Sequence, residues 1–345
     1  MKTLKKLTAL VLTALMLVSL TACGQGGTTA APAASASSSS GSGTDSGAPI
    51  NATIVGGSIG GAWAAIGEGV AEIIRRDHPK SVVSYEVGSE AANMALVSTG
   101  DVDMGIGHTG LMKLALEGQE PFPGELGNLR ALCVLYGEAC EQFFVKTSTG
   151  VSSFEDLVSK KYPLNVNFNT KDSFMELVAS SVLEFYGTNA ATLKSWGGNV
   201  DYMSMGNSID LMRDGKLDAY SNIIQVPSSN VVDAATTLDL TMLPLSDACC
   251  EAINEKYGTY TTTMPGGAYS FMPDDVQTVA ASVVLYCSAD MSDDMAYAIV
   301  ESIYGNFEYF KSIHSSLASI TVSDLADTDP IALHPGAQKF FDQAK

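Results

Sequence analysis

The sequence predicts an α/β fold. Runs rich in β-branched and aromatic residues alternate along the chain with segments in which apolar residues recur at helical spacing. A glycine-rich turn at residues 56–61 joins the first strand-like run to the first helical segment, and polar residues follow several later runs. This alternation is typical of proteins in which helices pack on a central sheet.

The first 48 residues predict a targeting signal followed by a linker. Three lysines precede an apolar run at residues 7–20, which is too short to span a bilayer comfortably and suits a signal peptide. The run is followed by Thr-Ala-Cys, which completes a close match to a bacterial lipobox. We therefore expect a lipoprotein signal peptide over residues 1–22 and lipidation of Cys23, with an ordinary signal peptide and a chance cysteine as the alternative. Residues 23–48 are almost wholly Gly, Ser, Ala and Thr, which predicts a flexible linker that tethers the protein outside the cytoplasm.

The segment after the linker predicts a strand, a tight turn and a helix. Glycines in the turn let the backbone come close to a ligand, and the free N–H groups of the helix start can hold a carboxylate or another anion. We therefore predict that Ser58, Gly60 and Gly61 bind ligand. Trp63 could cover an apolar part of that ligand or pack in the core. The apolar positions that predict the helix are Trp63, Ile66, Val70, Ile73 and Ile74.

Polar residues follow four further strand-like runs, where a helix is expected to begin. Sheets of α/β proteins bind ligands at the carboxyl ends of their strands, so these residues are candidates for the same site. Helix capping or another structural role is the alternative for each. The runs are Val82–Val87, Met104–Gly107, Leu164–Phe168 and Ala219–Ile224, and the candidates are Asn93, His108, Thr109, Asn169, Thr170, Ser173, Gln225 and Ser228.

The rest of the chain carries more strand and helix signals. Ser152 and Glu155 have the spacing of a capping box, and Ser292 is placed to cap a long helix. Cys133 and Cys140 flank a segment that reads as strand, turn and strand, so a disulfide could join them. The remaining strand-like runs are Leu129–Tyr136, Phe143–Lys146, Val200–Met203, Leu240–Leu245 and Val279–Cys287.

Charge and motif content exclude several classes of function. A net charge of −19 argues against a nucleic-acid partner and against a basic membrane-binding face. No C-x-x-C or H-x-x-x-H motif occurs, so we expect no metal site, and we expect no cofactor. Of the four arginines only Arg130 is a candidate for the site, so neutral amides, hydroxyls and helix dipoles must hold the ligand. Lys171 could contact an acidic ligand or simply be solvated.

Six blocks carry a resemblance to a known family. They read IVGGSIGGAWAAIGEGVAEII at 54–74, GSEAANMALVSTGDVDMGIGHTGLMKLALEG at 88–118, SSFEDL at 152–157, LMRDGKLDAYSN at 211–222, MPGGAYSFMPDDVQTVAASVVLYC at 264–287 and LHPGAQKFF at 333–341. In this order they resemble the TAXI family of solute receptors for tripartite ATP-independent periplasmic (TRAP) transporters. The resemblance covers residues 50–341.

That resemblance implies a fold, a ligand and a partner. The fold would be that of a type II periplasmic binding protein, with two α/β lobes and a hinged ligand cleft. Residues 50–145 and 266–345 would form lobe I and residues 147–264 lobe II. The protein would be a monomeric receptor, not an enzyme, that passes glutamate or a related dicarboxylic acid to a TRAP permease.

Two other classes of function remain open from the residues alone. Gly56–Gly60 fits G-x-S-x-G, the turn of a serine hydrolase, with Ser58 as nucleophile and His334 as base. Against this, the turn follows the first strand of the fold, and His334 stands before Pro335 and Gly336 in a predicted helix start. The third class is a receptor that binds a protein partner.

Overall fold

The structure, a computed structural model, describes residues 48–344, so the predicted signal peptide, Cys23 and nearly all of the predicted linker lie outside the described residues. The strands are β1 Asn51–Gly56, β2 Val82–Val87, β3 Met104–His108, β4 Leu129–Lys146, β5 Asn165–Asn167, β6 Asn199–Asp201, β7 Ala219–Ile224, β8 Leu240–Met242, β9 Tyr260–Met264 and β10 Val276–Ser288. The helices are α1 Ala62–Asp77, α2 Glu90–Thr99, α3 Thr109–Glu117, α4 Phe154–Lys160, α5 Phe174–Phe185, α6 Ala190–Ser195, α7 Met205–Arg213, α8 Ser229–Ala234, α9 Asp247–Tyr257, α10 Asp293–Gly305, α11 Phe307–Ser312 and α12 Pro335–Gln343. The predicted α/β class is confirmed.

All ten strands belong to one mixed sheet. Its order is β2-β1-β3-β10-β4-β7-β5-β6, with β8 beside β4 and β9 beside β10. The strands β2, β1 and β3 are parallel to one another, as are β7, β5 and β6. Between these groups lie the long strands β10 and β4, which run antiparallel to each other and to their outer neighbours. One continuous sheet does not by itself divide the described residues into two parts. The division into lobes therefore stays a prediction.

Strand β4 differs from its prediction as two strands. It runs without a break through Gly137 and Glu138, where an irregularity in its pairing with β10 absorbs the extra residue. Cys133 and Cys140 therefore lie seven residues apart on one extended strand, roughly 23 Å by strand geometry. Both are free buried thiols, and burial raises the pKa of each to about 12. The disulfide that the sequence left open is not formed, since pairing with the partner strand β10 keeps this segment extended.

Several predicted helix starts are confirmed by their capping bonds. The Ser173 hydroxyl accepts from the Glu176 N–H at 3.3 Å, and Ser292 caps α10 in the same way. Helix α4 is capped one residue later than predicted. The Ser153 hydroxyl accepts from the Asp156 N–H at 3.1 Å, and the Asp156 carboxylate accepts from the Ser152 N–H at 3.2 Å.

The core lies on both faces of the sheet. Alternate residues of β4 point to opposite faces, so Phe143 and Val145 join the larger cluster and Phe144 joins a smaller one with Met212 and Tyr220. Strand β9 is not among the strand-like runs that the sequence shows. Its threonine-rich sequence carries little apolar pattern, and it becomes a strand by pairing with β10. Among residues 48–344, no helix is long and apolar enough to span a membrane.

Candidate functional site

A cavity of about 460 Å³ opens where strands end and helices begin. It is lined by residues that follow β1, β5 and β7, by His108 at the end of β3, and by the first residues of α1, α5 and α7. Helix N-termini carry unpaired N–H groups and a partial positive charge. The topology therefore brings the N-termini of several helices, with their free N–H groups, to one cavity.

Ten of the residues predicted to bind ligand line this cavity. Asn93 and Thr109 do not. The Asn93 amide donates to the Gly56 carbonyl at 3.1 Å and braces the end of β1 against α2, whereas the Thr109 hydroxyl donates to the Ser282 carbonyl at 3.3 Å. The lining residues are Ser58, Gly60, Gly61, Trp63, His108, Asn169, Thr170, Ser173, Gln225 and Ser228.

The start of α1 offers unpaired N–H donors to the cavity. Gly60 has a φ of +85°, which favours glycine, and turns the chain so that the Gly61 N–H donates to the Ser58 carbonyl at 3.2 Å. Gly61 caps the helix without a side chain, and the first turn contains no acidic residue. The start of α7, at Ser204, likewise lacks a side-chain cap and a first-turn acid. Both helix ends can therefore receive an anion.

An aromatic wall closes one side of the cavity. The Trp63 indole N–H donates to the Tyr136 hydroxyl at 2.9 Å. The His108 ring lies between the rings of Trp63 and Phe174, with centroids 5.1 Å away on each side. Trp63 packs against the core and also lines the cavity, and its contact with a ligand stays a prediction.

Asn169 shapes the opposite side. Its φ is +68°, a conformation that Asn tolerates, and its amide group donates to the Tyr220 hydroxyl and to the Asn222 amide oxygen. Its own amide oxygen accepts from the Thr170 N–H at 2.8 Å. Ser173 also bonds within this loop, to the Thr170 carbonyl at 2.6 Å. These contacts set the form of the loop that precedes α5.

Several lining residues were not predicted. Glu90 is the first residue of α2, and the same strand-end reasoning that selected Asn93 could have found it. Tyr136 lies within β4 and His314 after α11, where the sequence carries no local signal. The unpredicted polar lining residues are Glu90, Tyr136, Ser204, Asn207, Asn222, Ser229, Asn230 and His314.

The cavity has no lysine or arginine among the described residues that line it. Arg130 donates to the carbonyls of Gly127 and Leu129, and the Lys171 ammonium lies 2.8 Å from the Glu176 carboxylate. Neither lines the cavity. The described lining contains one acidic residue, Glu90, so the expectation that neutral groups and helix dipoles hold the ligand stays a prediction.

His334 lies away from the cavity lining and is fully engaged. The ring is buried, its Nδ1 accepts from the Gly336 N–H at 3.1 Å, and its Nε2 donates to the Met291 carbonyl at 2.9 Å. It therefore caps α12, as the predicted helix start implied. The pairing of Ser58 with His334 that the hydrolase alternative requires is not formed.

The comparison with protein families gives a direct assignment. A profile of the NMT1-like family matches residues 54–344, which includes nearly all of the described fold. The chain belongs to the NMT1-like family. The fold and the cavity described above are thus those of an NMT1-like protein.

Solved structures similar to this NMT1-like protein share its fold at low sequence identity. MatC from Rhodopseudomonas palustris, solved with bound malate, has a TM-score of 0.54 and 11% identity over 86% of this chain and 98% of its own. The periplasmic binding protein BugD has a TM-score of 0.53 and 13% identity, over 86% and 94%. PhnD1 from Prochlorococcus marinus, solved with methylphosphonate, has a TM-score of 0.52 and 12% identity, over 86% and 99%. The fold is therefore that of periplasmic binding proteins.

Proposed function

We propose that this NMT1-like protein is a receptor that binds a small carboxylate-bearing solute. The observation that carries the proposal is the cavity at which the uncapped starts of α1 and α7 meet without any lysine or arginine in the lining. Helix N-termini stabilise anions without a full positive charge, and a cavity of about 460 Å³ suits a small organic acid. The fold is shared with proteins solved with malate and with methylphosphonate, both of which are small anions and the first of which is a carboxylate.

The partner would be a membrane permease. The blocks that resemble the TAXI family favour a TRAP-type permease and a solute such as glutamate or a dicarboxylic acid. Residues 50–145 with 266–345, and residues 147–264, would be the two lobes that close on the solute. Ligand-induced closure would appear as a smaller radius of gyration in X-ray scattering.

A thermal-shift screen of the purified protein against organic acids, amino acids and peptides tests the proposal. A solute at a hundredfold excess over its dissociation constant should stabilise the protein by about 2.7 kcal/mol. Stabilisation by carboxylates, and not by their amides or esters, would support the proposal. If only solutes without a carboxylate stabilise the protein, the carboxylate class is wrong.

The turn before α1 supplies a sharper prediction. Ser58→Ala should weaken binding of a carboxylate found in the screen by roughly 1–3 kcal/mol, because one hydrogen bond is lost. Gly61→Val should weaken it more, since a branched side chain would stand where the backbone approaches the ligand. Isothermal titration calorimetry measures both effects, and unchanged thermal stability of the free variants is the control. Equal affinity of wild type and Gly61→Val would contradict the placement of the ligand here.

The same serine separates a receptor from a hydrolase. We expect no reaction of Ser58 with a fluorophosphonate probe and no ester turnover. Covalent labelling that disappears in Ser58→Ala, together with turnover lost in that variant, would replace the receptor with an enzyme.

Lipid anchoring is a separate part of the proposal. If Cys23 is lipidated, Cys23→Ala should leave precursor or released protein and remove the mature form from the membrane fraction. Detergent phase partitioning after expression in a bacterium measures this. A cleaved Cys23→Ala protein that still partitions with membranes would contradict the anchor.

A further inference from the structure

His108 carries an unused hydrogen-bonding atom at the cavity. The side chain is only 1% exposed, it lines the cavity, and its Nε2 has no hydrogen-bond partner among the described residues. A buried polar atom without a partner is costly, so native proteins rarely keep one without a reason. Because His108 lines the cavity, a bound solute is the natural candidate for the missing partner.

Glu90 determines which hydrogen-bonding role this atom has. One carboxylate oxygen accepts from the His108 backbone N–H at 2.7 Å and contacts the ring Nδ1 at 2.9 Å. The other oxygen accepts from the Phe174 N–H at 3.0 Å. A carboxylate can only accept, so Nδ1 carries the ring proton, and in the neutral imidazole Nε2 is then an acceptor.

The surroundings hold the ring in this orientation. Trp63 and Phe174 enclose it on both sides, and Trp63 is itself held by its bond to Tyr136. A rotation that exchanged the two nitrogens would break the bond to Glu90.

We propose that His108 Nε2 accepts a hydrogen bond from the solute and that Glu90 positions it for this role. His108 thereby selects carboxylates that also carry an O–H or N–H donor over carboxylates that lack one. The proposal rests on the proposed function as a solute receptor and adds a chemical requirement to it. Glu90 acts through His108 and is a positioning residue.

Matched acids test the selection. We expect the purified protein to bind malate about tenfold more tightly than succinate, and 2-hydroxyglutarate about tenfold more tightly than glutarate, as one hydrogen bond to a buried acceptor implies. The methyl ether of malate, which keeps the oxygen and loses the donor, should bind as weakly as succinate or more weakly. Titration calorimetry at one pH gives these ratios. Equal binding within each pair would overturn the selection while leaving the carboxylate receptor intact.

Two variants separate His108 from general effects of substitution. In His108→Phe the ratio of the two affinities within each pair, malate to succinate and 2-hydroxyglutarate to glutarate, should be close to one, whatever the absolute affinities are. The matched control is His78→Phe, because His78 is also buried with an unpartnered Nδ1 but does not line the cavity. His78→Phe should keep the ratio. A ratio that survives in His108→Phe would overturn the proposal.

Nitrogen-15 NMR of labelled histidine tests the tautomer without any ligand. We expect an unprotonated Nε2 and a protonated Nδ1 for the resonance that disappears in His108→Phe. Glu90→Gln should shift that resonance toward the other tautomer, because the glutamine amide can donate to Nδ1. A protonated Nε2 in the wild type would overturn the proposal. If no tested acid binds, the proposed ligand class fails, and this measurement still decides the role of Glu90.

Discussion

The free energy of unfolding of the wild-type protein should fall between pH 5 and pH 9, and this fall should be much smaller in Glu141→Gln. Glu141 lies within β4 and is 2% exposed. One carboxyl oxygen accepts from the Ser221 hydroxyl, and the other has no partner among the described residues. Burial therefore raises the pKa of Glu141 from 4.5 to about 8, although the bond from Ser221 opposes the rise.

The raised pKa determines the sign of the effect. Between pH 4.5 and about 8 the folded protein binds a proton at Glu141 that the unfolded chain has lost, so the free energy of unfolding falls as the pH rises. Below pH 4.5 the proton on Glu141 costs neither state, and the stability of the folded protein is at its full value. Above a pH of about 8 the folded protein has lost the proton as well, so this group causes no further loss of stability. A shift of this size corresponds to a loss on the order of 5 kcal/mol.

Urea unfolding of wild type and Glu141→Gln at several pH values measures this difference. The variant should be close to the wild type or less stable at pH 5, because its amide adds buried donors, and more stable at pH 9. The matched control is Glu138→Gln, an exposed glutamate of the same strand, which should keep the wild-type slope. If the free energy of unfolding of Glu141→Gln depends on pH as strongly as that of the wild type, Glu141 is charged in the folded protein and the prediction is wrong.

Gly336→Ala should destabilise the protein by about 3 kcal/mol. A Cβ at this position would lie 2.1 Å from the Asp293 carbonyl oxygen and 2.8 Å from its carbonyl carbon. Backbone atoms at the capped start of α10 cannot move aside as a flexible side chain would, so the start of α12 must shift. That shift would also strain the bond from the Gly336 N–H to His334.

Thermal and urea unfolding measure this loss, and Gly305→Ala is the control. Gly305 ends α10, and a Cβ there would meet no atom within 4 Å. Alanine in place of an unconstrained helical glycine should be neutral or stabilising by up to about 1 kcal/mol. Similar stabilities for Gly336→Ala and wild type would mean that the packing of α12 on α10 is looser than the structure indicates.

We selected site residues by the rule that α/β proteins bind ligands at the carboxyl ends of their strands. This rule found most of the lining residues that lie next to strand ends and missed those that come from other parts of the fold. Ser58, His108 and Ser173 could be selected because each lies near the end of a strand or at the cap of a helix, and both features are visible within a few residues. Tyr136 and His314 could not, because they reach the cavity from the middle of β4 and from the segment after α11. Their role depends on which distant elements pack together.

Asn93 shows how the rule can choose the wrong member of a segment. It and Glu90 both belong to the start of α2, but Asn93 faces the carbonyl of Gly56, and Glu90 faces the cavity. The periodicity of the helix does not distinguish them, since positions three apart lie on nearly the same side. The contact partners, Gly56 and His108, come from other strands.

The sequence by itself determined the α/β class, the glycine turn before α1, the caps at Ser173 and Ser292 and the lack of cations suited to an arginine clamp. Each of these depends on periodicity, capping chemistry or composition, which act over a few residues. Only the tertiary structure decided that β4 is one strand, that β9 is a strand, and that Glu90, His108 and Phe174 meet. Strand continuity and buried polar contacts depend on partners far away in the chain, and the pairing with β10 and the burial of the Glu90 carboxylate supply the physical reason in each case.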